Sequence, residues 1–334
     1  MIQSLLNRKV IEVEHLKIGL RTLKTVVASA LAMFIAQQLH LLYASAAGII
    51  AILSLGNTKR ASLSAGLGRI FSLFIAIIIA FICFHLFGYS PWSFGLFLLV
   101  FIPVSVQLKI SDGIVVNSVL ITHFLVEKSF SLQMLINESL LMLIGVGLAL
   151  LMNLYMPSMQ KDLEQDIEKI EEDFRTIIYD LAAHLNLEKI APLEKNCERL
   201  KQKIRLAQNR ALVHKENRWT YEQDYYTEYF SMRRTQVRLL VDMVTLLSEI
   251  NVDGLFVDDL RKVLIMTAQN FAEENDGQQI LAEIEKVYQA YREKALPQSR
   301  AEFENRALLF QFLQSFKSFV EIKAVFYQGK VKPF

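Results

Sequence analysis

The chain has 334 residues, of which 53% are hydrophobic, and a formal net charge of +2. These averages combine two unlike parts: no Asp or Glu occurs from His15 to Ser111, whereas a strongly charged sequence follows Pro157. Polar side chains could not cover the first part in water, so a wholly soluble protein is excluded. We predict an all-α protein with a six-span transmembrane domain at 1–157 and a cytoplasmic helical bundle at 158–334.

The first predicted element is an amphipathic helix at the membrane interface, because apolar and charged positions alternate through the first seventeen residues. Six membrane spans follow, at 20–41, 43–56, 67–87, 92–108, 112–126 and 134–156. The second and fifth are too short to cross a hydrocarbon core about 30 Å thick. A short middle span in each set of three is typical of transporters built from inverted repeats, although no repeat of individual residues is evident.

The charges of the spans predict their orientation. Residues 1–157 carry ten Lys and Arg against five Asp and Glu, and nearly all the cations lie at alternate loops. The positive-inside rule therefore places both termini in the cytoplasm. A basic membrane domain with few acids also favours an anion as the transported species. The alternative for each single cation is that it only sets the topology.

Six helices are predicted after Pro157, at 158–187, 193–215, 219–251, 255–274, 278–295 and 300–327, with breaks at Pro and Gly positions. No segment alternates like a strand, so a helical bundle is the simplest architecture. The segment WTYEQDYYTEYFSMRR at 219–234 is rich in Tyr and Arg and could bind an aromatic carboxylate. A helical aromatic stripe is more often part of a bundle core, and we favour that interpretation.

The sequence contains no phosphate-binding loop, nucleophile elbow or metal-ligand spacing, so no enzyme activity, ATP-driven pump, metal or cofactor is predicted. A proton-coupled antiporter usually needs a carboxylate or a histidine at membrane depth. The only candidate is His123, near the outer end of the fifth span, since Asp112, Glu127 and Glu138 fall at span ends. We interpret His123 as a packed, hydrogen-bonded helix residue. Without a coupling group, the sequence favours a channel or a uniporter for an anion.

Hydroxyl side chains of the fifth span form a second candidate feature. Ser118 and Thr122 share one helical face. They either line a polar path or make hydrogen bonds between helices, and the sequence leaves both roles open.

Two segments resemble the aromatic acid exporter family 1 of bacteria: KIGLRTLKTVVASALAMFIAQ at 17–37 and SAAGIIAILSLGNTKRASL at 45–63. The segment YEQDYYTEYFSMRRTQ at 221–236 resembles the C-terminal domain of that family. The resemblance implies a multi-pass protein of the bacterial inner membrane in the fusaric-acid-resistance-like group. That group is similar to plant aluminium-activated malate transporters, which are homodimers with an anion path lined by basic residues.

The leading hypothesis is an exporter or channel for organic anions, aromatic carboxylates above all, with basic residues at its cytoplasmic mouth. The alternative is a membrane-anchored sensor or scaffold whose cytoplasmic bundle binds a ligand or partner. The predicted partners are small organic anions, the lipid bilayer and a second copy of the chain, and no nucleic acid. The candidate path residues are Lys59, Arg60, Arg69, Arg21, Lys24, Lys109, Gln107, Ser118, Thr122 and His123.

Overall fold

The computed structural model describes residues 19–183, 185, 191–218, 224–250 and 257–329. These ranges contain twelve α-helices, one 3-10 turn and no β-strand, so the predicted all-α class is confirmed. The chain divides into two compact units, 1–157 and 158–334. The interfacial helix predicted for the first seventeen residues lies outside the described residues.

The first unit contains six α-helices: α1 (Leu20–Gln38), α2 (Ser45–Ser54), α3 (Lys59–Phe87), α4 (Pro91–Gln107), α5 (Ile114–Glu127) and α6 (Leu132–Leu154). The 3-10 turn, Ser111–Gly113, leads into α5. By length and composition, α1, α3 and α6 can cross a membrane, and α2 and α4 are shorter apolar helices. The ten residues of α2 extend about 15 Å, half of a hydrocarbon core.

The third helix starts earlier than the predicted third span. It begins at Lys59 rather than at 67, because the Thr58 hydroxyl accepts a hydrogen bond from the Ala61 amide and caps the helix. Lys59 and Arg60 therefore form the first turn of α3. They follow α2, which ends at Ser54.

The helices of the first unit pack in two groups of three, α1 with α2 and α6, and α3 with α4 and α5. α3 also packs against α6 and joins the groups. Close approach of α2 and α6 depends on Gly145, where an added Cβ would lie 2.6 Å from Cβ of Ile50 and 2.7 Å from the Ala47 carbonyl oxygen. The small residues of α2 thus serve packing inside the chain, as helix contacts in membranes require.

The outer surface of the first unit is apolar. Phe71, Phe74 and Ile78 on α3 are each more than half exposed. Contiguous apolar surface of this kind is suited to lipid rather than water.

The second unit also consists of six helices: α7 (Gln160–Ala183), α8 (Ala191–Glu216), α9 (Tyr225–Glu249), α10 (Val257–Gln269), α11 (Gln278–Arg292) and α12 (Arg300–Gly329). Helix α7 illustrates how they form, because Leu163, Ile167, Ile170 and Phe174 recur at helical spacing and are all buried. α9 packs against α8 and α12, and α7 packs against α8 and α10. One continuous apolar core results.

Candidate functional site

Arg69 is a buried cation in the first unit, about three turns from the start of α3. Only 7% of its surface is exposed. Its Nη1 donates to the Ser54 hydroxyl at 3.0 Å, and its Nε donates to the Asp112 carbonyl oxygen at 3.1 Å. Both acceptors are neutral. The exposed Asp112 carboxylate attracts the guanidinium at longer range, but no ion pair forms between them among the described residues.

Two more polar side chains converge beside Arg69. The Asn117 amide donates to the Arg69 backbone carbonyl at 3.2 Å. In the described structure, the buried Asn117 Oδ1 and Ser72 Oγ have no hydrogen-bond partner. A Cβ added at Gly113 would lie 2.5 Å from the Ser72 Cβ and 2.9 Å from the Asn117 Nδ2, so the groups meet at the start of α5. An unpaired buried polar atom costs roughly 1–3 kcal/mol, and such atoms are commonly satisfied by water or a ligand.

Further cations lie at the end of the unit where α1 and α3 begin and α6 ends. Lys24 is 7% exposed, and its ammonium group donates to the Tyr155 carbonyl oxygen. The Lys24 and Lys59 ammonium groups lie close enough to repel one another. Lys59 and the adjacent Arg60 are half-buried. This end of the unit is therefore electropositive.

The Gly56-Asn57 turn before these cations has a defined structure. The Gly56 amide donates to the Ser62 hydroxyl at 2.7 Å. The Asn153 amide of α6 donates to the Gly56 carbonyl oxygen at 3.0 Å and to the Ser62 hydroxyl at 2.6 Å. These hydrogen bonds connect the start of α3 to α6 and hold the cationic first turn in place.

Three of the predicted path residues, Arg21, Gln107 and Lys109, are exposed. Lys109 lies two residues after the end of α4 and has a left-handed backbone (φ 59°). No hydrogen bond in the described ranges joins any of these three to Arg69. The structure thus brings together Lys24 and Lys59 near Arg60 but leaves these three at the surface.

The hydroxyl side chains of α5 bond within their own helix. Ser118 donates to the Ile114 carbonyl oxygen at 2.7 Å, and Thr122 donates to the Val119 carbonyl oxygen at 2.6 Å. Neither hydroxyl therefore donates a hydrogen bond to another helix. Their oxygen lone pairs remain available as acceptors.

His123 belongs to a second polar cluster, which also contains the acid Glu138. Its Nδ1 lies 2.9 Å from Glu138 Oε2, and the Tyr43 ring stacks on the imidazole with centroids 3.9 Å apart. Glu138 is fully buried. Glu138 lies in the second turn of α6, which begins at Leu132, and thus near the end of the predicted sixth span. The sequence analysis did not predict its burial. The adjacent Asn137 is the signal that could have indicated a buried polar pair.

The aromatic segment of the second unit is part of its core. Tyr225, Tyr226, Tyr229 and Phe230 are all 5% exposed or less, which confirms the interpretation of the stripe as bundle core. Tyr221 lies outside the described residues.

A buried ionic network accompanies that core. Arg233 is fully buried and donates to Glu171 at 2.6 Å, to the Tyr229 hydroxyl at 2.9 Å and to Gln236 at 2.8 Å. Burial raises the pKa of Tyr229, so its hydroxyl stays protonated. Burial lowers the pKa of Lys323 to about 7. Because all these groups have partners inside the bundle, we assign them a structural role.

Within the part of the chain that the structure describes, no three His, Cys, Asp or Glu side chains lie close enough together to hold a metal ion.

Two family models match the chain: residues 16–156 match "Aromatic acid exporter family member 1", and residues 160–324 match "Putative aromatic acid exporter C-terminal domain". The chain belongs to the aromatic acid exporter family. The resemblance seen in its N-terminal motifs is thereby confirmed.

One relative aligns with this chain over almost the full length of both proteins. The uncharacterized protein YqjA of Bacillus subtilis (strain 168) is 33% identical over 317 residues, covering 93% of this chain and 96% of that protein. A solved structure, the "putative membrane protein from Clostridium difficile 630", is 20% identical with a TM-score of 0.44 and covers 50% of this chain and 99% of its own. The family is one of membrane proteins named as exporters, not an enzyme family.

Proposed function

We propose that this membrane protein exports organic anions, aromatic carboxylates foremost, and that Arg69 binds the carboxylate. The observation that carries the proposal is a buried guanidinium held by two neutral oxygens, Ser54 Oγ and the Asp112 carbonyl. A charge removed from water without a paired opposite charge is strongly disfavoured. A bound anion would supply that charge.

The chemistry around Arg69 suits a carboxylate. Arginine presents a planar set of N–H donors that matches two carboxylate oxygens. Nε and Nη1 already have acceptors, which leaves Nη2 for a ligand. Ser72 can donate a further hydrogen bond through its unpaired hydroxyl. The aromatic part of the substrate comes from the family description.

The cationic end of the unit supports the same proposal. Lys24, Lys59 and Arg60 would attract anions to the mouth, with Arg21 beside them in α1, and Arg69 would lie about 15 Å further along α3. We place this end in the cytoplasm, with six spans, both termini inside and a homodimeric assembly. An inside-negative potential then favours efflux by about 2.3 kcal/mol per charge for each 100 mV.

The other candidate residues would line the path without binding the carboxylate as Arg69 does. Ser118 and Thr122 would offer acceptors along α5, and Gln107, Lys109 and His123 would lie elsewhere on the path. The 1–157 unit would be the transport domain and the 158–334 unit a cytoplasmic domain.

Flux of labelled phthalate and benzoate through purified full-length protein in liposomes tests the proposal. We expect Arg69→Gln to reduce flux roughly 10- to 100-fold, since a hydrogen bond to a charged group contributes about 1.5–3 kcal/mol. Arg69→Lys should retain part of the flux because it keeps the charge. Lys128→Asn, at an exposed left-handed position (φ 47°), is the control and should match the wild type.

Two results would contradict the proposal. If the wild-type protein transports neither phthalate nor benzoate, the sensor or scaffold alternative is favoured. Undiminished flux in folded Arg69→Gln would exclude Arg69 as the binding residue.

A further inference from the structure

The first unit contains a structural repeat in which equivalent residues are 69 positions apart, as Leu39 and Leu108 are. The first evidence for the repeat is the backbone structure at the ends of α1 and α4. After α1, the backbone amides of Leu39, His40 and Leu41 donate to the carbonyls of Ile35, Gln37 and Ala36, respectively. After α4, the amides of Leu108, Lys109 and Ile110 donate to the carbonyls of Val104, Val106 and Ser105, each 69 positions later. The middle residue is left-handed in both, with φ of 54° at His40 and 59° at Lys109.

The buried faces of the helices repeat with the same spacing. The buried residues of α1 are Lys24, Ala28, Ala32 and Ala36, and those of α4 are Ser93, Phe97, Phe101 and Ser105. Each member of the second set is 69 positions after its counterpart in the first. In α3 and α6 the buried pairs 73 and 142, 76 and 145, and 80 and 149 follow the same rule. Side-chain types differ at most of these positions, which is why the sequence did not reveal the repeat.

The packing of the helices agrees with this correspondence. If α1, α2 and α3 are equivalent to α4, α5 and α6, then the group α1–α2–α6 maps onto the group α4–α5–α3, and those are the two observed groups. Each repeat has three helices. An odd number of spans makes the second repeat enter the membrane from the opposite side, as in inverted-repeat transporters.

The two clusters described above are equivalent under this repeat. Arg69 corresponds to Glu138, and Ser54 corresponds to His123. The hydrogen bond from Arg69 to Ser54, at 3.0 Å, thus has its counterpart in the contact of Glu138 with His123, at 2.9 Å. The contact between Arg69 and residue 112 would correspond to one between Glu138 and residue 43, and the Glu138 carboxylate does interact electrostatically with the Tyr43 hydroxyl.

Hydrogen bonds hold the side chains around Glu138 in place. Glu138 Oε1 accepts from the Asn137 amide at 3.0 Å, and Asn137 is fixed by the backbone of Leu42. The Tyr43 hydroxyl donates to Glu127 Oε1 at 2.9 Å. His123 keeps about a tenth of its side chain exposed, so the protein does not completely enclose the cluster.

Other ionisable groups on the packed elements do not join the cluster. α4 carries none. The last two turns of α3 contain Cys83, buried in an apolar cluster, and His85, exposed beside Phe81, whereas Lys59, Arg60 and Arg69 lie in its first three turns. His40, in the turn after α1, is also exposed. The groups that face the pair are therefore Tyr43 directly and Glu127 through the Tyr43 hydroxyl.

We propose that His123 and Glu138 form a proton-binding site, the counterpart in the second repeat of the Arg69 anion site in the first. The inference rests on the proposed export function. His123 and Glu138 bind one proton from the outside when the imidazole Nδ1 and the carboxylate share an added H⁺, and the pair loses it to the cytoplasm after the unit changes conformation. One proton then enters for each anion that leaves. This replaces the channel or uniporter expected from the sequence by proton-coupled exchange.

A steady-state distribution of phthalate tests the coupling. Full-length protein is placed in liposomes with equal phthalate on both sides, the membrane potential is held at zero with potassium and valinomycin, and the outside is made one pH unit more acidic. One-to-one exchange should accumulate phthalate outside about tenfold, because one pH unit is equivalent to a factor of ten in an equilibrium ratio. Passive movement of the neutral acid would accumulate it inside, the opposite direction.

The variants separate a proton site from a structural role. Glu138→Gln and His123→Gln should equilibrate phthalate to equal concentrations while still exchanging it, and Glu138→Asp should restore part of the gradient. His85→Gln, an exposed histidine on α3, is the control and should reach the wild-type ratio. His123→Gln gives the same readout if Glu138→Gln does not fold.

The outcomes are distinct for the two proposals. Wild-type exchange with no outward accumulation would overturn the proton site and leave the export function intact. An outward ratio in either Gln variant equal to that of the wild type would also overturn it. No exchange by the wild type would overturn both proposals.

Discussion

Arg69 and Arg233 are two buried guanidinium groups with different surroundings. Arg233 is fully buried and has Glu171 at 2.6 Å, so its charge is balanced inside the bundle. Arg69 has only neutral acceptors. Since breaking a buried ion pair costs about 3 to 5 kcal/mol, the first arrangement explains stability. The second leaves a buried charge with no opposite charge in hydrogen-bond contact, which supports the proposal that Arg69 binds the anion.

Lys323 provides a prediction for the pH dependence of the second unit. Burial lowers its pKa to about 7, with a further contribution from Arg233, while the unfolded side chain titrates near 10.5. Between these values the unfolded state binds more protons than the folded state, so the free energy of unfolding contributed by Lys323 rises with pH. We expect Lys323→Met to be more stable than the wild type near pH 7. Its free energy of unfolding should lack the increase with pH that Lys323 contributes.

Denaturant unfolding of the full-length protein in detergent, at steps from pH 7 to about pH 10, measures this difference. Lys201→Met is the control, because its side chain is 56% exposed, and it should keep the pH dependence of the wild type. Parallel curves for Lys323→Met and the wild type would show that Lys323 is charged in the folded protein at neutral pH.

At the scale of single helices, the short α2 is held by close packing rather than by length. Ala46, Ala47, Ile50 and Ala51 are all at most 5% exposed, and Gly145 of α6 allows the two backbones to approach. Small residues permit this contact, and dispersion between closely packed atoms stabilises it where lipid removes the hydrophobic driving force. A half-length helix can therefore be stable inside the unit.

Gly145 and Gly147 give a matched test of that packing. An added Cβ at Gly145 would lie 2.6 Å from the Ile50 Cβ and against the backbone oxygen of Ala47, whereas nothing lies within 4 Å of one at Gly147. We expect Gly145→Ala to destabilise the protein by about 1 to 3 kcal/mol, as overpacking does. Gly147→Ala should be neutral or slightly stabilising, since Ala has the higher helix propensity. Thermal unfolding in detergent compares them, and equal melting temperatures would contradict the proposed close contact.

At the scale of the whole molecule, the proposal depends on the orientation of the first unit. The cationic end at Lys24 and Lys59 must face the cytoplasm for export to be favoured by the membrane potential. The inverted repeat then places the Glu138 cluster toward the outside. Both requirements come from the same topology.

Single cysteines test that topology. In a background with Cys83 and Cys197, both buried, changed to Ser, a membrane-impermeant maleimide should label Trp92→Cys on intact cells. It should label Asn57→Cys only after permeabilisation. Both positions are exposed, so accessibility on the protein does not decide the result. Labelling of Asn57→Cys on intact cells would reverse the topology and the direction of transport.

Several features of this protein could be predicted from single segments of sequence. The six helices of each unit follow from apolar periodicity and from breaks at Gly and Pro, and the family resemblance follows from two N-terminal motifs. The start of α3 was missed because its first turn is polar, so hydropathy begins later than the hydrogen-bonded helix capped by Thr58.

The candidate sites were only partly predictable for a different reason. Sequence identified Arg69 as a basic residue at the cytoplasmic mouth, and His123 as a polar residue of the apolar fifth span. It did not identify Ser54, Asn117 or Glu138 as their partners, because those come from other helices and no spacing along the chain relates them. Nor does the sequence indicate that Glu138 is buried, because its contact with His123 joins two different helices.

The sequence by itself determined the all-α class, the apolar and charged parts of the chain, and the excess of cations in the first part, since these depend on local composition and periodicity. Only the tertiary structure decided that α1–α2–α6 and α3–α4–α5 form the packing groups and that Arg69 and Glu138 are equivalent positions. The physical reason is that the repeat is conserved in backbone geometry and burial. Lipid and close packing accept many side chains at such positions, so the amino acids themselves need not repeat.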